Sequence, residues 1–324
     1  MGLQINHRSV IKALFKDYLI LVAIIALVFV TIIFEPKFLS SANLTNIMRQ
    51  FGPLSMVSLG MTFVIIGGFI DLSVAGIMSL VAVITVSLIE PAGQFPALMA
   101  GLCIGAAAGY LNSAVILTCG ALTSAEALFI TFGMSTVYGA LALIFSKGAT
   151  QHMSWITSGT WVYDAIGQGS VGFLSVSFIV FLLCLFILYI FQQKTYLGRA
   201  VFLTGCNKTA AELSGVHVKR SIRLIYTISG IMTAAGSIML FSRVTTASPV
   251  IGKNYETNAI LAVVVGGTTL RGGEGSVLRT VLGVMLVTLL SNCMNMLGVS
   301  TFMQTVLKGA ILIIAIWLDN RKES

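Results

Sequence analysis

The chain has 324 residues, 57% of them hydrophobic and 9% charged, with a mean hydropathy of +0.98. Soluble domains carry about 25% charge, so this composition excludes a water-surrounded globule: lipid must be the solvent, and the backbone must close its own hydrogen bonds as helices. The formal net charge of +8 does not signal nucleic acid, because the basic residues sit in particular loops and form neither a basic helix face nor an aromatic platform.

In chain order, Arg8, Lys12 and Lys16 precede an apolar run at 18–34. No A-x-A site follows it, so it reads as a retained first helix and not a signal peptide. A spanning helix needs roughly 20 mostly apolar residues. By that rule the sequence predicts an all-α, polytopic transmembrane helix bundle of about ten spans, at 18–34, 54–69, 74–90, 97–118, 124–146, 173–191, 222–241, 258–270, 277–295 and 301–318. No polar stretch is long enough to fold alone, so 1–324 is expected to form one transmembrane unit.

Between the second and third spans, the helix break Gly67-Gly68 leads into Phe69-Ile70-Asp71-Leu72-Ser73. Either Asp71 or Ser73 suits the start of the third helix as a cap; Asp71 is also a candidate pathway residue, because an acid near membrane depth is functional by default. Gly101, Gly105 and Gly109 put small residues on one face of the fourth span, which lets a neighbouring backbone approach closely. Thr123-Ser124-Ala125-Glu126 fits a capping box at the start of the fifth.

The longest polar segment, 192–221, contains Gly205-Cys206-Asn207-Lys208-Thr209-Ala210-Ala211-Glu212-Leu213-Ser214-Gly215. Asn207 is a plausible cap, Ala210, Ala211, Glu212 and Leu213 favour helix, and Gly215 is a natural stop. So short a helix is marginal alone, which points to a docking partner; an interfacial helix on lipid headgroups is the alternative. The span at 258–270 rises only about 20 Å, so it reads as discontinuous or tilted. It ends at a second glycine pair, Gly266-Gly267, and the likeness of the two breaks hints at an internal repeat. In the last span Gln304 and Lys308 share a face, and an ammonium at that depth needs a partner, water or a carbonyl cage. Asn258, Asn292 and Asn295 complete the candidate pathway residues, as neutral donors and acceptors of the kind that hydroxyl groups require.

An even number of spans puts both termini on one face. If that face is cytoplasmic, the inner segments hold Arg8, Lys12, Lys16, Lys194, Arg199, Lys208, Lys219, Arg220, Arg223, Arg271, Arg279, Arg321 and Lys322. The outer segments hold only Lys37, Arg49, Lys147, Arg243 and Lys253. The positive-inside rule selects this orientation, with cytoplasmic segments at 1–17, 192–221 and 319–324. The five cysteines form no C-x-x-C pair and read as free thiols. No G-x-x-x-x-G-K-[ST] loop occurs, so the chain holds no Walker-type ATP site. H-E-x-x-H and G-x-S-x-G are also absent. No catalytic residues, metal ligands or cofactor follow, and the energy for any transport must come from a gradient or a partner.

Three groups of stretches carry a resemblance. They are Gly60-Met61-Thr62 through Gly67-Gly68-Phe69-Ile70-Asp71-Leu72-Ser73; Leu197-Gly198-Arg199 through Gly205-Cys206-Asn207 and Ala210-Ala211-Glu212-Leu213-Ser214-Gly215; and Ala259-Ile260 through Gly266-Gly267-Thr268, Gly272-Gly273-Glu274-Gly275 and Lys308-Gly309. With these the chain resembles the membrane-spanning permease subunits of bacterial binding-protein-dependent ABC importers, in the branch that carries ribose, xylose and related monosaccharides. It departs from the family pattern at Cys206, at Arg279-Thr280, at Phe69 before Ile70-Asp71, and around Tyr138. The resemblance implies a non-enzymatic subunit in the bacterial inner membrane. It also implies a second permease chain, two cytosolic ATPase subunits docked on the 205–215 helix, and an extracytoplasmic sugar-binding protein. A self-sufficient secondary transporter is the alternative; broken helices and Lys308 favour it, and the scarcity of acids weighs against it.

Overall fold

The computed structural model describes residues 7–320, with side chains from Leu21 to Trp317. The predicted terminal segments before residue 7 and after residue 320, with Arg321 and Lys322, lie outside the described residues, as do the side chains of Arg8, Lys12 and Lys16. The chain is an all-α bundle. Its elements run α1 (His7–Phe34), α2 (Ser41–Ile66), α3 (Val74–Ala92), α4 (Gln94–Thr118), α5 (Ser124–Ser146), α6 (Trp161–Gln168), α7 (Val176–Lys194), α8 (Tyr196–Cys206), α9 (Lys208–Leu213), α10 (Val218–Val244), α11 (Tyr255–Val265), α12 (Val277–Met296) and α13 (Thr301–Asn320). Two minimal antiparallel ribbons close the end away from α9. β1 (Gln151–His152) pairs with β4 (Thr246–Ala247), and β2 (Ser170–Val171) pairs with β3 (Leu174–Ser175).

Among the described residues, seven helices are long and apolar enough to cross a membrane: α2, α3, α4, α5, α7, α10 and α12. Among the same described residues, α1, α11 and α13 carry the shorter apolar stretches Leu21–Phe34, Tyr255–Val265 and Thr301–Trp317. The predicted span at 258–270 is corrected: the helix is Tyr255–Val265, 11 residues, and the chain has left helical geometry by Gly267. At 1.5 Å per residue α11 covers about 16 Å, roughly half of a hydrocarbon core.

The centre is α2, buried at every position from Phe51 to Ile66; a helix apolar on all sides belongs inside. It packs on α10, α11, α12 and α7. The small-residue face of α4 does what its spacing predicts. Gly105 lies against Gly230 and Ala234 of α10, and Gly109 against the Tyr226 carbonyl, where a Cβ would come within 2.1 Å. Backbone-to-backbone approach replaces the hydrophobic effect as the source of cohesion in lipid. The outer faces of α5 and α7 expose Phe129, Phe132, Ile144, Leu183 and Phe186, side chains that hydrocarbon solvates without cost.

Both glycine breaks are helix caps of one design. Phe69 N–H donates to the Val64 carbonyl and Gly68 N–H to that of Ile65; Thr268 N–H donates to Val263 and Gly267 N–H to Val264. Gly68 (φ +79°) and Gly267 (φ +88°) hold the left-handed position that the Schellman motif assigns to glycine. Four carbonyls that the two helix ends leave open are thereby engaged, and both breaks are tight turns.

Candidate coupling junction and polar sites of the bundle

Three glycine-bearing loops meet at the α9 end. Gly273 N–H donates to the Ile66 carbonyl, the last of α2, at 2.8 Å. A Cβ on Gly205, at the end of α8, would lie 1.8 Å from that carbonyl and 2.5 Å from Gly273 N; one on Gly272 would lie 2.6 Å from Gly68 Cα. The ends of α2 and α8 and the 266–276 loop are therefore in backbone contact. Gln192 of α7 ties in the same loop, donating to the Gly275 carbonyl (3.1 Å) and accepting from Val277 N–H (3.2 Å).

From this junction hangs α9. Asn207 caps it as its sequence predicts, its side chain accepting from Ala210 N–H at 3.0 Å, and Gly215 stops it at φ +81°. The helix is one and a half turns, Lys208–Leu213, shorter than the two turns expected, and the predicted loop around it is mostly helical because α8 fills 196–206. Ala211 is buried while Ala210, Glu212, Ser214 and Gly215 are exposed, and Leu213 is 86% exposed. A cleft beside it is lined by Glu212, Val216, His217, Lys219, Arg220 and Arg223.

Lys208, within the predicted 205–215 segment but not among its named contact residues, fastens α9 to two other loops. Its ammonium sits 4.0 Å over the Phe69 ring, next to the α2 break, and donates to the Leu122 carbonyl before α5. Burial pushes its pKa down, opposed by the charge of Glu126. Glu126 itself completes the predicted capping box with Thr123. A half-buried lysine beside a capped helix start has no local sequence signature, since Phe69 and Leu122 are far away in the chain.

The candidate pathway residues do not form one cluster. Asp71 is fully buried and accepts from Ser73 N–H (2.9 Å), Ser73 Oγ (2.5 Å) and Ser229 Oγ (2.9 Å). It turns the chain into α3 but bonds none of that helix's own amides, and Ser73 makes no cap bond, so the simple capping expectation is revised. The network continues from Ser73 Oγ to Asn112 Nδ2 (2.7 Å) and from Asn112 Oδ1 to the Tyr138 hydroxyl (3.0 Å), joining α3, α4, α5 and α10. At the end away from α9, Asn292 exchanges two amide hydrogen bonds with Asn43 of α2, at 3.0 and 3.1 Å. Gln304 donates to Asn295 Oδ1 at 2.7 Å and to the Val299 carbonyl at 2.9 Å. Asn258 and Lys308 are half-buried, and among the described residues neither side chain has a hydrogen-bond partner. No group of three or more potential metal ligands occurs among the described residues.

Comparison with known proteins identifies transport permeases as relatives. The chain is 36% identical over 302 residues to the ribose import permease protein of Bacillus subtilis (strain 168), covering 92% of this chain and 91% of that one. It is 31% identical over 336 residues to the galactose/methyl galactoside import permease protein of Escherichia coli (strain K12), covering 98% of each. It is 29% identical over 326 residues to the ribose import permease protein of the same strain, again covering 98% of each. No solved structure gives a significant match. Residues 43–316 match the family described as branched-chain amino acid transport system / permease component, and the chain belongs to that family.

Proposed function

We propose that this chain is the membrane-spanning subunit of an ATP-driven, binding-protein-dependent importer that carries a monosaccharide across the bacterial inner membrane. It crosses ten times, with α1, α11 and α13 completing the seven long helices, and both termini and α9 are cytoplasmic. Two copies, or this chain and a related one, form the pathway. Two cytosolic ATPase subunits bind the α9 ends, and an extracytoplasmic binding protein delivers the sugar. The excess of Lys and Arg in the segments at the α9 end supports the orientation. The names of the similar permeases, for ribose and for galactose, support the substrate class.

One observation carries this reading. A short helix with a nearly bare leucine at its tip is anchored, through backbone contact at Gly205 and through Lys208, to the ends of the helices that form the core. A protein pushing on α9 therefore moves the ends of α2 and α8 and the loop before α12 together. A partner shifts the bundle between access states only by binding them with different affinity, and this junction is where ATP-dependent closure of the ATPases supplies that difference.

The test is co-purification and transport. Glu212→Arg and Leu213→Asp should each leave the permease inserted in the membrane while cutting recovery of the ATPase about tenfold, as loss of a central apolar or charged contact does at an interface. Unchanged recovery contradicts the docking role. Uptake that persists without the ATPase and stops when the ion gradient is dissipated contradicts the whole reading and identifies a secondary transporter.

A further inference from the structure

The sequence places Lys253 in an outer loop, and the structure moves it inward. At β4, Thr246–Ala247 pair with Gln151–His152, and Gln151 Nε2 donates to Ser87 Oγ of α3 at 2.8 Å. Five residues after Ala247, Gly252 N–H donates to Ser79 Oγ at 3.2 Å, and a Cβ on Gly252 would lie 2.2 Å from the Ala75 carbonyl. From Ser87 to Ser79 and Ala75 is eight to twelve residues of helix, so the chain descends about 12–18 Å along α3. The next residue of α3, Gly76, packs against the Ser135 backbone, and Ser135 is the midpoint of α5. Gly252 therefore lies near the middle of the bundle, and α11 begins three residues later.

The segment after Gly252 is polar. Lys253 and Asn254 are exposed, and Glu256, Thr257 and Asn258 are half-buried. The Glu256 Oε2 atom is shielded and has no hydrogen-bond partner among the described residues. Hydrocarbon does not accept such a surface at this depth, and irregular backbone there is tolerated only when packed in protein or lining a water-filled cavity. Packing accounts for the Gly252 side of the segment. The Lys253–Asn254 side is open.

We infer that residues 253–258 form a polar wall of the translocation path and that Asn254, Glu256 and Asn258 contact the sugar as it passes. The inference rests on the importer reading above and adds the contact site to it. The wall offers donors (Lys253 ammonium, Asn amides) and acceptors (Glu256 carboxylate, Asn carbonyls) in alternation, which matches the hydroxyls of a neutral sugar, each both donor and acceptor. α13, the helix that carries the half-buried Lys308, packs on α11.

The test uses the full complex of permease, ATPase and binding protein in proteoliposomes, with the five native cysteines replaced by serine. Asn254→Cys should react with a membrane-impermeant, hydrophilic maleimide, while Ile144→Cys on the lipid face of α5 should not. Labelling of the Asn254→Cys variant should slow severalfold when ribose and the binding protein are present. Asn258→Ala should reduce uptake at saturating sugar about tenfold, the loss of one or two hydrogen bonds, and Asn258→Gln should recover part of it. An Asn254→Cys thiol that reacts only with a lipid-soluble maleimide, or with neither reagent, overturns the inference, as does labelling that ribose leaves unchanged. If the wild-type complex takes up no sugar on ATP, the importer reading falls instead, and the two failures are read from separate samples.

Discussion

Gly205 has no room for one methyl group. Its Cβ would fall inside the Ile66 carbonyl, and both neighbours are backbone, which a rotamer change cannot move. Gly205→Ala should therefore force the junction apart, costing about 1–3 kcal/mol in unfolding stability and uncoupling uptake from ATP hydrolysis more than it lowers insertion. An unchanged unfolding temperature in detergent together with normal uptake would show the junction to be looser than described. The Asn43–Asn292 pair is a second residue-scale claim. A double-mutant cycle to alanine should return a coupling energy near ~0.6 kcal/mol, the usual size for hydrogen bonds between membrane helices. A coupling of zero would mean that lipid-facing or unfolded partners replace it fully. Neither feature is readable locally: Gly205 and Gly273 are 68 residues apart, and Asn43 and Asn292 are separated by 249.

At the scale of elements, the local signals are the reliable ones. The Thr123–Glu126 capping box, the Asn207 cap, the Gly215 stop and the glycine face of α4 all occupy the roles that spacing assigns them. Each depends on residues within a turn or two, so short-range chemistry is enough. The glycine pairs are legible as breaks but not as caps, since only the backbone shows the same six-to-one and five-to-two bonds at Gly68 and Gly267. That identity gives a prediction. Gly267→Ala places a side chain at φ +88° with nothing within 4 Å to clash, so its cost should be purely conformational, about 1–2 kcal/mol. A cost well above that would mean hidden packing at the end of α11. The 258–270 segment departs from its predicted span because the helix begins earlier, at Tyr255, and ends in the Gly266-Gly267 cap, leaving Thr268, Thr269 and Leu270 beyond it. Lys253 departs from its predicted place for a different reason: polar residues after an apolar run read as a loop at the surface, and only contact with α3 reveals descent into the bundle.

At the scale of the molecule, the low charge content points to lipid as the solvent, and apolar runs of roughly 20 residues, in place of the alternating pattern of a barrel strand, select helices. That pattern leaves open which polar residues share a space. Asp71, Asn292, Asn295 and Gln304 each hydrogen-bond another segment of the bundle, whereas Asn258 and Lys308 have no such partner among the described residues, and it is beside Asn258 that the polar wall at 253–258 is proposed. The molecule combines a closely packed core of α2, α10 and α4, a short α11 beside α2, and an α9 handle joined to the end of α2 by glycine contacts. The proposal that a separate ATPase drives sugar through this bundle by way of α9 has one direct test. It is uptake of labelled ribose into proteoliposomes that carry the permease, its ATPase and the binding protein, with ATP on the ATPase side and no ion gradient. Accumulation should require all three proteins and ATP, and Leu213→Asp should abolish it. Accumulation by the permease alone, or uptake of leucine in place of sugar, would contradict the proposal.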